Sequence, residues 1–130
     1  MDAELAEVPA AEGSWNVEWL ENRAGLLGGS ALPGEGLSIV AAHNTLGTEK
    51  AGPFLLLNTL ERNDTVLVSG SDGSVQIFRV FANELLKPGD MEKLASVAGE
   101  GKNTLVLVTC ENESSDGGYL DRRVIFAGQL

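Results

Sequence analysis

The chain has 130 residues, of which 43% are hydrophobic and 22% are charged. This length predicts a single domain, and the composition excludes a wholly disordered chain. Nine basic against 19 acidic residues give a net charge of −10, which argues against a surface that tracks nucleic-acid phosphates. No stretch approaches the roughly 18 consecutive apolar residues of a membrane-spanning helix. Residues 1–12 lack the basic and apolar regions of a signal peptide, which leaves a cytoplasmic protein and a trimmed envelope protein both open.

The N-terminal part is predicted to contain a leader, a helix and a strand. Residues 1–14 read as a polar leader that need not be ordered, and residues 15–130 as the domain itself. Within Trp15–Leu27, apolar residues at helical spacing predict a short amphipathic helix, namely Val17, Leu20, Ala24 and Leu27. A turn rich in Gly and Pro follows, and Leu37–Ala42 reads as a buried strand that runs into His43.

The middle of the chain predicts a β-hairpin. Phe54–Leu60 is apolar enough to be core, as a helical turn or a strand, and Thr65–Val68 is a strand. Ser69–Ser74 has the Gly and Asp-Gly residues of a hairpin loop. In the next predicted strand, Val75–Phe81, apolar and polar residues alternate. One face is predicted to carry Val75, Ile77, Arg79 and Phe81, and the other Gln76, Phe78 and Val80.

The C-terminal part predicts an excursion and two strands. Residues 82–102 form the excursion, with a capped helical turn at Asp90–Leu94. Asn103–Thr109 is the most β-prone run and is predicted to end at Cys110, where a polar loop over residues 111–121 begins. Residues 123–128 close the chain as a strand. The predicted class is mainly β, a closed or nearly closed barrel of short strands with one or two small helices.

Cys110 and His43 are the only cysteine and the only histidine. Each lies at a predicted junction between strand and loop, where catalytic side chains are common. A thiol and an imidazole together could support acyl transfer. The alternatives are a small apolar core residue for Cys110 and a merely structural His43. One Cys and one His supply two strong ligands where zinc takes three or four, so neither metal nor cofactor is predicted.

Arg122 and Arg123 are adjacent on the last predicted strand, so their side chains point to opposite faces. One guanidinium could therefore face Cys110 and stabilise an acyl oxyanion by charge-assisted hydrogen bonds. The alternative is a solvated pair that balances Asp121 and Glu111.

Four motifs occur in an order that closely resembles the sortases, the cysteine transpeptidases of Gram-positive envelopes. They are AHN at 42–44, FLLLNTL with NDTV at 54–66, VTC at 108–110 and RRVIFA at 122–127. The resemblance runs from about Gly28 to Leu130 and leans towards class B or class D without assigning either. Asn63 replaces a Gly of the family and tolerates the same left-handed backbone. Residues 1–27 lack the family's opening I-x-I-P pattern, so the first strand is expected to be missing or atypical.

The resemblance implies a sortase-like barrel and a two-step reaction. Cys110 would attack the carbonyl between Thr and Gly of an LPXTG-like sorting signal and form a thioester. An amine of a cell-wall precursor or a pilin lysine would then resolve that thioester. His43 would be the acid and base, with a minor thiolate–imidazolium population as the active form. Arg122 would hold the oxyanion, with the backbone N–H of Glu111 as a second donor.

The resemblance also implies which residues contact the substrate and where in the cell the protein acts. Substrate contacts are expected from residues of the excursion and of the strand ends, namely Leu85, Leu86, Leu94, Val97, Thr109, Glu111 and Tyr119. For the apolar ones, plain loop packing is the alternative. The expected location is the outer face of a Gram-positive cell membrane, with the anchor absent from this chain. A non-catalytic peptide-binding barrel and a hydrolase that releases the acyl group to water are the competing functions.

Overall fold

A computed structural model describes residues 5–8, 10–11, 14–15, 23–27, 32–43, 45–46, 50–87, 103–113 and 119–130. The predicted helical turn at Asp90–Leu94 lies outside these residues. Where the structure describes the chain, it contains no helix with the length and apolarity needed to cross a membrane.

The described residues are almost entirely β-strand. In chain order the strands are β1 (Leu5–Val8), β2 (Ala10–Ala11), β3 (Ser14–Trp15), β4 (Ala24–Leu27), β5 (Leu37–Ala41), β6 (Thr45–Leu46), β7 (Lys50–Ala51), β8 (Thr65–Ser69), β9 (Val75–Leu86), β10 (Thr104–Glu113) and β11 (Tyr119–Gln129). One turn of 3-10 helix spans Leu57–Thr59.

Seven strands form one curled sheet in the order β1-β4-β5-β10-β11-β9-β8. The pairs β1–β4 and β5–β10 are parallel, and the other neighbours are antiparallel. Two small hairpins, β2–β3 and β6–β7, complete the described strands. The prediction of a mainly β, barrel-like architecture is confirmed. Strand β1 has the sequence LAEV and lies within the predicted leader.

The sheet packs apolar side chains on both faces, because successive residues of a strand point to opposite sides. The first core holds Leu105 and Leu107 of β10 with Ile125 and Ala127 of β11, and Leu57 of the 3-10 turn covers it. The second face holds the alternate residues of the same two strands, Val106, Val108, Val124 and Phe126, all at most 6% exposed. Strands β10 and β11 are therefore central and buried on both sides.

A β-bulge at Phe81 changes which residues of β9 face which side. Ala127 pairs with Val80 and Phe126 pairs with Ala82, so Phe81 is left between them. Before the bulge, Phe78 and Val80 pack into the first core, while after it Ala82 packs on the second face. One extra residue thus reverses the alternation along the strand.

Several local predictions are confirmed. The predicted loop Ser69–Ser74 is a hairpin loop between β8 and β9, although Ser69 itself still pairs with Val75, and Gly73 has a φ of 87° there. Asn63 has a φ of 78°, the left-handed conformation expected of the residue that stands in for Gly. Phe54–Leu60 supplies core as a helical turn, with Phe54 and Leu57 buried.

One element and three strand boundaries were predicted wrongly. Strand β9 does not end at Phe81 but continues to Leu86, so residues 82–86 belong to the sheet and not to the predicted excursion. The helix over Trp15–Leu27 is contradicted by β4, whose four residues are all buried and pair with β1 and β5. Strand β10 does not end at Cys110 but continues to Glu113, and β11 begins at Tyr119 rather than at Arg123. Cross-strand pairing holds these polar ends in the ladder, for instance Glu111 opposite Asp121.

Candidate active site

Cys110 lies on β10 directly opposite Arg122 on β11. Directly opposed residues of an antiparallel pair have Cα atoms about 5 Å apart and share one face of the sheet. The thiol and the guanidinium therefore belong to the same face. Both residues are half-buried, and the Arg122 Nη1 donates a hydrogen bond to the carbonyl oxygen of Asp121 at 3.0 Å.

His43 lies beside Cys110 on the other side of β10. Strands β5 and β10 run parallel, and the last register pair joins Ala41 to Val108. Two residues further along each strand stand His43 and Cys110. The Ala42 N–H continues the ladder by donating to the Val108 carbonyl at 3.1 Å. The register thus puts His43 at the position opposite Cys110, about 5 Å away between Cα atoms at the spacing of neighbouring strands.

The backbone around His43 is fixed from both sides. The Thr109 Oγ1 donates to the Ala42 carbonyl at 2.7 Å, and this hydrogen bond is buried. The carbonyl of His43 itself accepts the N–H of Phe54 at 3.0 Å, and Phe54 is anchored in the first core. A histidine whose neighbours are held in this way has little freedom to drift along the strand direction.

Alternation along the strands places all three residues on the second face of the sheet. Cys110 follows Val106 and Val108, Arg122 precedes Val124 and Phe126, and His43 follows Ile39 and Ala41, all members of that face. On β9 the residue opposite Arg122 is Leu86, which packs on the same face. A row of four residues therefore crosses four strands, in the order His43, Cys110, Arg122 and Leu86.

The electrostatics of the thiol reflect its half-buried position. Burial raises the pKa of the Cys110 thiol above its ordinary value, because the thiolate loses solvation, and the positive charge of Arg122 opposes that rise. In this conformation the thiol is the dominant form at neutral pH, and the thiolate, the reactive form of a cysteine, is the minor one.

We expect the alkylation of Cys110 by iodoacetamide to follow this pKa. Because the folded-state pKa is raised, the rate at neutral pH should lie below that of the unfolded chain and climb about tenfold per pH unit until the thiol titrates. Arg122→Gln removes the charge that lowers the pKa, so its profile should move to higher pH. Rates measured by mass spectrometry over a pH series test this, and identical profiles for both proteins would contradict it.

Arg123 faces the opposite side of the sheet. Its Nη1 donates to the Asn83 Oδ1 at 2.9 Å, and the Asn83 Nδ2 in turn donates to the carbonyls of Asn58 and Leu60 at 3.1 and 2.8 Å. This network ties the 3-10 turn to β9 and β11. Of the two adjacent arginines, Arg122 is the one that shares a face with Cys110.

The other residues predicted to contact substrate fall into three groups. Leu86 lies on the face of Cys110, whereas Leu85 pairs with Arg123 and is 43% exposed on the other face. Thr109 is buried, and its hydroxyl is engaged with Ala42 rather than directed to solvent. Leu94, Val97 and the side chains of Glu111 and Tyr119 lie outside what the structure describes; the backbones of the last two belong to β10 and β11.

The sequence reasoning missed two positioning contacts, the bond from Thr109 to Ala42 and the Asn83 network. Alternation in the run LVLVTC could have indicated the first, since it puts Thr109 on the face opposite Cys110. Nothing local to Asn83 signals the second, because its partners are 23, 25 and 40 residues away.

Thr109→Val should lower the free energy of unfolding by about 1–3 kcal/mol, because valine leaves the buried Ala42 carbonyl without its donor. Thr109→Ser keeps the hydroxyl and should recover most of this loss. Urea denaturation of both variants measures the difference. Equal stability of the valine variant and the wild type would show that the hydroxyl does not join the two strands energetically.

Comparison with known proteins identifies the family of this chain. The Sortase domain family model matches residues 2–130. Sortase A from Corynebacterium diphtheriae, in its lid mutant, is similar over 99% of this chain and 64% of its own, with 25% identity and a TM-score of 0.75. Sortase C1 from Streptococcus agalactiae is similar over 97% of this chain and 60% of its own length, with 25% identity and a TM-score of 0.73. A Clostridium perfringens Sortase D5 transpeptidase shares the fold over 97% of this chain and 69% of its own length, with 21% identity and a TM-score of 0.69.

The match is to part of these proteins. The chain covers 56% of sortase C-1 from Actinomyces oris and 54% of sortase A from Corynebacterium diphtheriae. No curated protein is matched by its sequence. The neighbours span classes A, C and D, so no class follows for this chain. Since the family model extends over nearly every residue, the chain belongs to the sortase family, whose members are cysteine transpeptidases of the Gram-positive cell envelope.

Proposed function

We propose that this chain is the catalytic domain of a sortase that cleaves an LPXTG-like sorting signal between Thr and Gly and transfers the acyl group to an amine. The amine would come from a cell-wall precursor or a pilin lysine, at the outer face of a Gram-positive cell membrane. The observation that carries the proposal is the row across β5, β10 and β11, in which one thiol lies between one imidazole-bearing and one guanidinium-bearing position.

The first step forms a covalent bond to Cys110. The Cys110 thiolate attacks the carbonyl carbon of the Thr–Gly peptide bond, and the negative charge moves to the carbonyl oxygen. Arg122 stabilises that oxyanion, with the backbone N–H of Glu111 as the second donor. As the oxyanion collapses, the C–N bond breaks, and protonated His43 gives its proton to the departing amine of Gly. A thioester and a free C-terminal fragment result.

The second step reverses these roles. An incoming amine attacks the thioester carbonyl, and neutral His43 accepts the proton that the nitrogen loses. The tetrahedral oxyanion forms again at Arg122, the C–S bond breaks, and Cys110 leaves as the thiolate. The raised pKa of the Cys110 thiol fits a resting state that is mostly thiol, and the charge of Arg122 favours the thiolate that reacts.

The apolar residues beside Cys110 are consistent with a peptide substrate. Ile39, Ala41, Ala82 and Leu86 are partly buried residues packed on the face that carries the thiol. They would contact the apolar residues of the sorting signal, while Thr109 acts from the opposite face by holding the backbone next to His43. We therefore propose Thr109 as a positioning residue rather than as a substrate contact.

Incubation with LPXTG-type peptides and an amine tests the proposal. Mass spectrometry should detect an acyl adduct on Cys110 and a product in which the amine replaces the C-terminal fragment. An adduct that yields only the hydrolysed acid would favour a cysteine hydrolase instead. Absence of any adduct with every sorting peptide would refute both enzymatic functions and leave a non-catalytic peptide-binding barrel.

A further inference from the structure

A second surface lies on the face of Cys110 but at the far end of the sheet. A cleft of about 690 Å³ opens there, and its walls include Thr104 and Gly128, which pair across β10 and β11. Thr104 stands six residues before Cys110 on one strand. At about 3.3 Å per residue, the cleft is roughly 20 Å from the thiol. The proposed reaction does not use it.

Two guanidinium groups line this cleft. Arg62 and Arg79 are both exposed, and the part of the chain that the structure describes offers neither of them a carboxylate or other side-chain partner. No described lining residue is acidic. The whole chain carries a net charge of −10, so a cleft lined by two unpaired cations is locally basic within an acidic protein. Such a pair suits carboxylates, which the planar guanidinium binds in a bidentate manner.

The backbone that carries these arginines is held firmly. The Asn63 N–H donates to the Val80 carbonyl at 2.8 Å, and the Val80 N–H donates to the Asp64 carbonyl, also at 2.8 Å. Arg79 itself is paired on both sides, with Thr65 of β8 and Gly128 of β11. On the side of this protein, the backbone is therefore ordered before binding, which lowers its share of the entropic cost of recognition.

An apolar strip continues from the cleft along the β8–β9 hairpin. Val66 and Val68 pack towards the first core, so Leu67 is turned to the other side, opposite Ile77. The strip consists of Leu67, Val75, Ile77, Phe81 and Leu130, which are 61%, 56%, 42%, 37% and 66% exposed. Large apolar side chains exposed together mark interaction surfaces. From Val75 to Phe81 the strip extends about 20 Å, the length of an extended peptide.

We propose that the arginine cleft and the apolar strip form a docking surface for an extended acidic segment of a partner protein. Carboxylates of the segment pair with Arg62 and Arg79, and its apolar side chains cover Ile77 and Phe81. A second copy of this chain is a less favourable occupant than a short acidic segment, because it brings its whole net charge of −10 against the −10 of the first copy. The proposal does not rest on the reaction at Cys110.

Fluorescence anisotropy with a short fluorescein-labelled peptide tests this surface. Every second residue of the peptide, on the face that meets the protein, is glutamate at one end and leucine at the other, with serine between them. We expect saturable binding that weakens as salt is added. The double variant Arg62→Gln/Arg79→Gln should weaken binding by about tenfold, a few-fold for each exposed charge. Ile77→Thr should weaken it through the strip alone. Arg23→Gln removes the same charge from a residue that does not line the cleft, and it should bind like the wild type.

Further measurements distinguish an acidic segment from other possible occupants of this surface. The same peptide with glutamine in place of each glutamate should bind more weakly than the acidic one, and Arg62→Lys/Arg79→Lys should retain part of the affinity. Absence of binding, equal binding by the double glutamine variant, or equal binding of the uncharged peptide would each overturn the proposal. A dimer in sedimentation that the double variant abolishes would also overturn it in favour of a second copy. Cys110→Ala should bind normally, so failure of the catalytic proposal leaves this result intact.

Discussion

Replacement of Cys110 by alanine should abolish both the acyl adduct and the transpeptidation product. The variant has no nucleophile, and the chain has no other thiol to replace it. We expect kcat/KM with a sorting peptide to fall by at least about 10⁴-fold. Because Cys110 is only half-buried, alanine should leave the thermal midpoint nearly unchanged. The loss of activity would then belong to chemistry and not to folding.

His43→Gln supplies the companion variant. Glutamine keeps a polar side chain at the same register position but cannot exchange a proton near neutral pH. It should suppress turnover while Cys110 remains open to slow alkylation. Retention of transpeptidation in Cys110→Ala, or full turnover in His43→Gln, would contradict the proposed roles.

Arg122→Gln should reduce kcat/KM by about 10²–10³-fold, the typical cost of losing one oxyanion donor. The guanidinium position lies opposite Cys110, and its charge already lowers the pKa of the thiol. Arg122→Lys restores the charge without the planar fork, so its activity should be intermediate. Steady-state kinetics with one sorting peptide and one amine measures all three proteins.

The neighbouring residue provides a matched control within the same strand. Arg123→Gln also removes one guanidinium, but on the other face, where it bonds Asn83. We expect the free energy of unfolding to fall by about 1 kcal/mol, with kcat/KM nearly unchanged. If Arg123→Gln lost activity and Arg122→Gln did not, the assignment of the two arginines would be reversed.

Local signals in the sequence predicted much of the fold. The loop Ser69–Ser74 and the left-handed Asn63 follow from residue chemistry alone, since Gly and Asn tolerate the backbone that those turns need. Alternation in Val75–Phe81 predicted its two faces, and the structure confirms them up to the bulge. Beyond Phe81 the alternation reverses, and no pattern within one strand indicates the extra residue of a β-bulge.

The failures share a physical cause, which is pairing with distant strands. Ala24–Leu27 is buried on both faces, and a short apolar run of that kind does not distinguish helix from strand. Its contacts with β1 and β5 decide the outcome. The polar ends of β10 and β11 stay extended because they pair with each other.

The candidate site was predictable to a similar degree. Single residues and their order indicated Cys110 and His43, and the family resemblance indicated Arg122. That Arg122 rather than Arg123 shares the face of Cys110 follows from the register across β10 and β11, which composition does not encode. The Thr109 hydroxyl illustrates the same limit, because its acceptor is 67 residues away along the chain.

That separation affects the order in which the residues of the candidate site come together during folding. Cys110 and Arg122 meet through a short antiparallel connection, whereas His43 reaches them only when β5 pairs in parallel with β10 across 67 residues. Closing the longer loop costs more chain entropy, and such non-local pairing is the slow part of folding. Cys110 and Arg122 can therefore come together before His43 joins them. If the proposed mechanism holds, a folding chain could not complete acyl transfer until β5 has paired with β10.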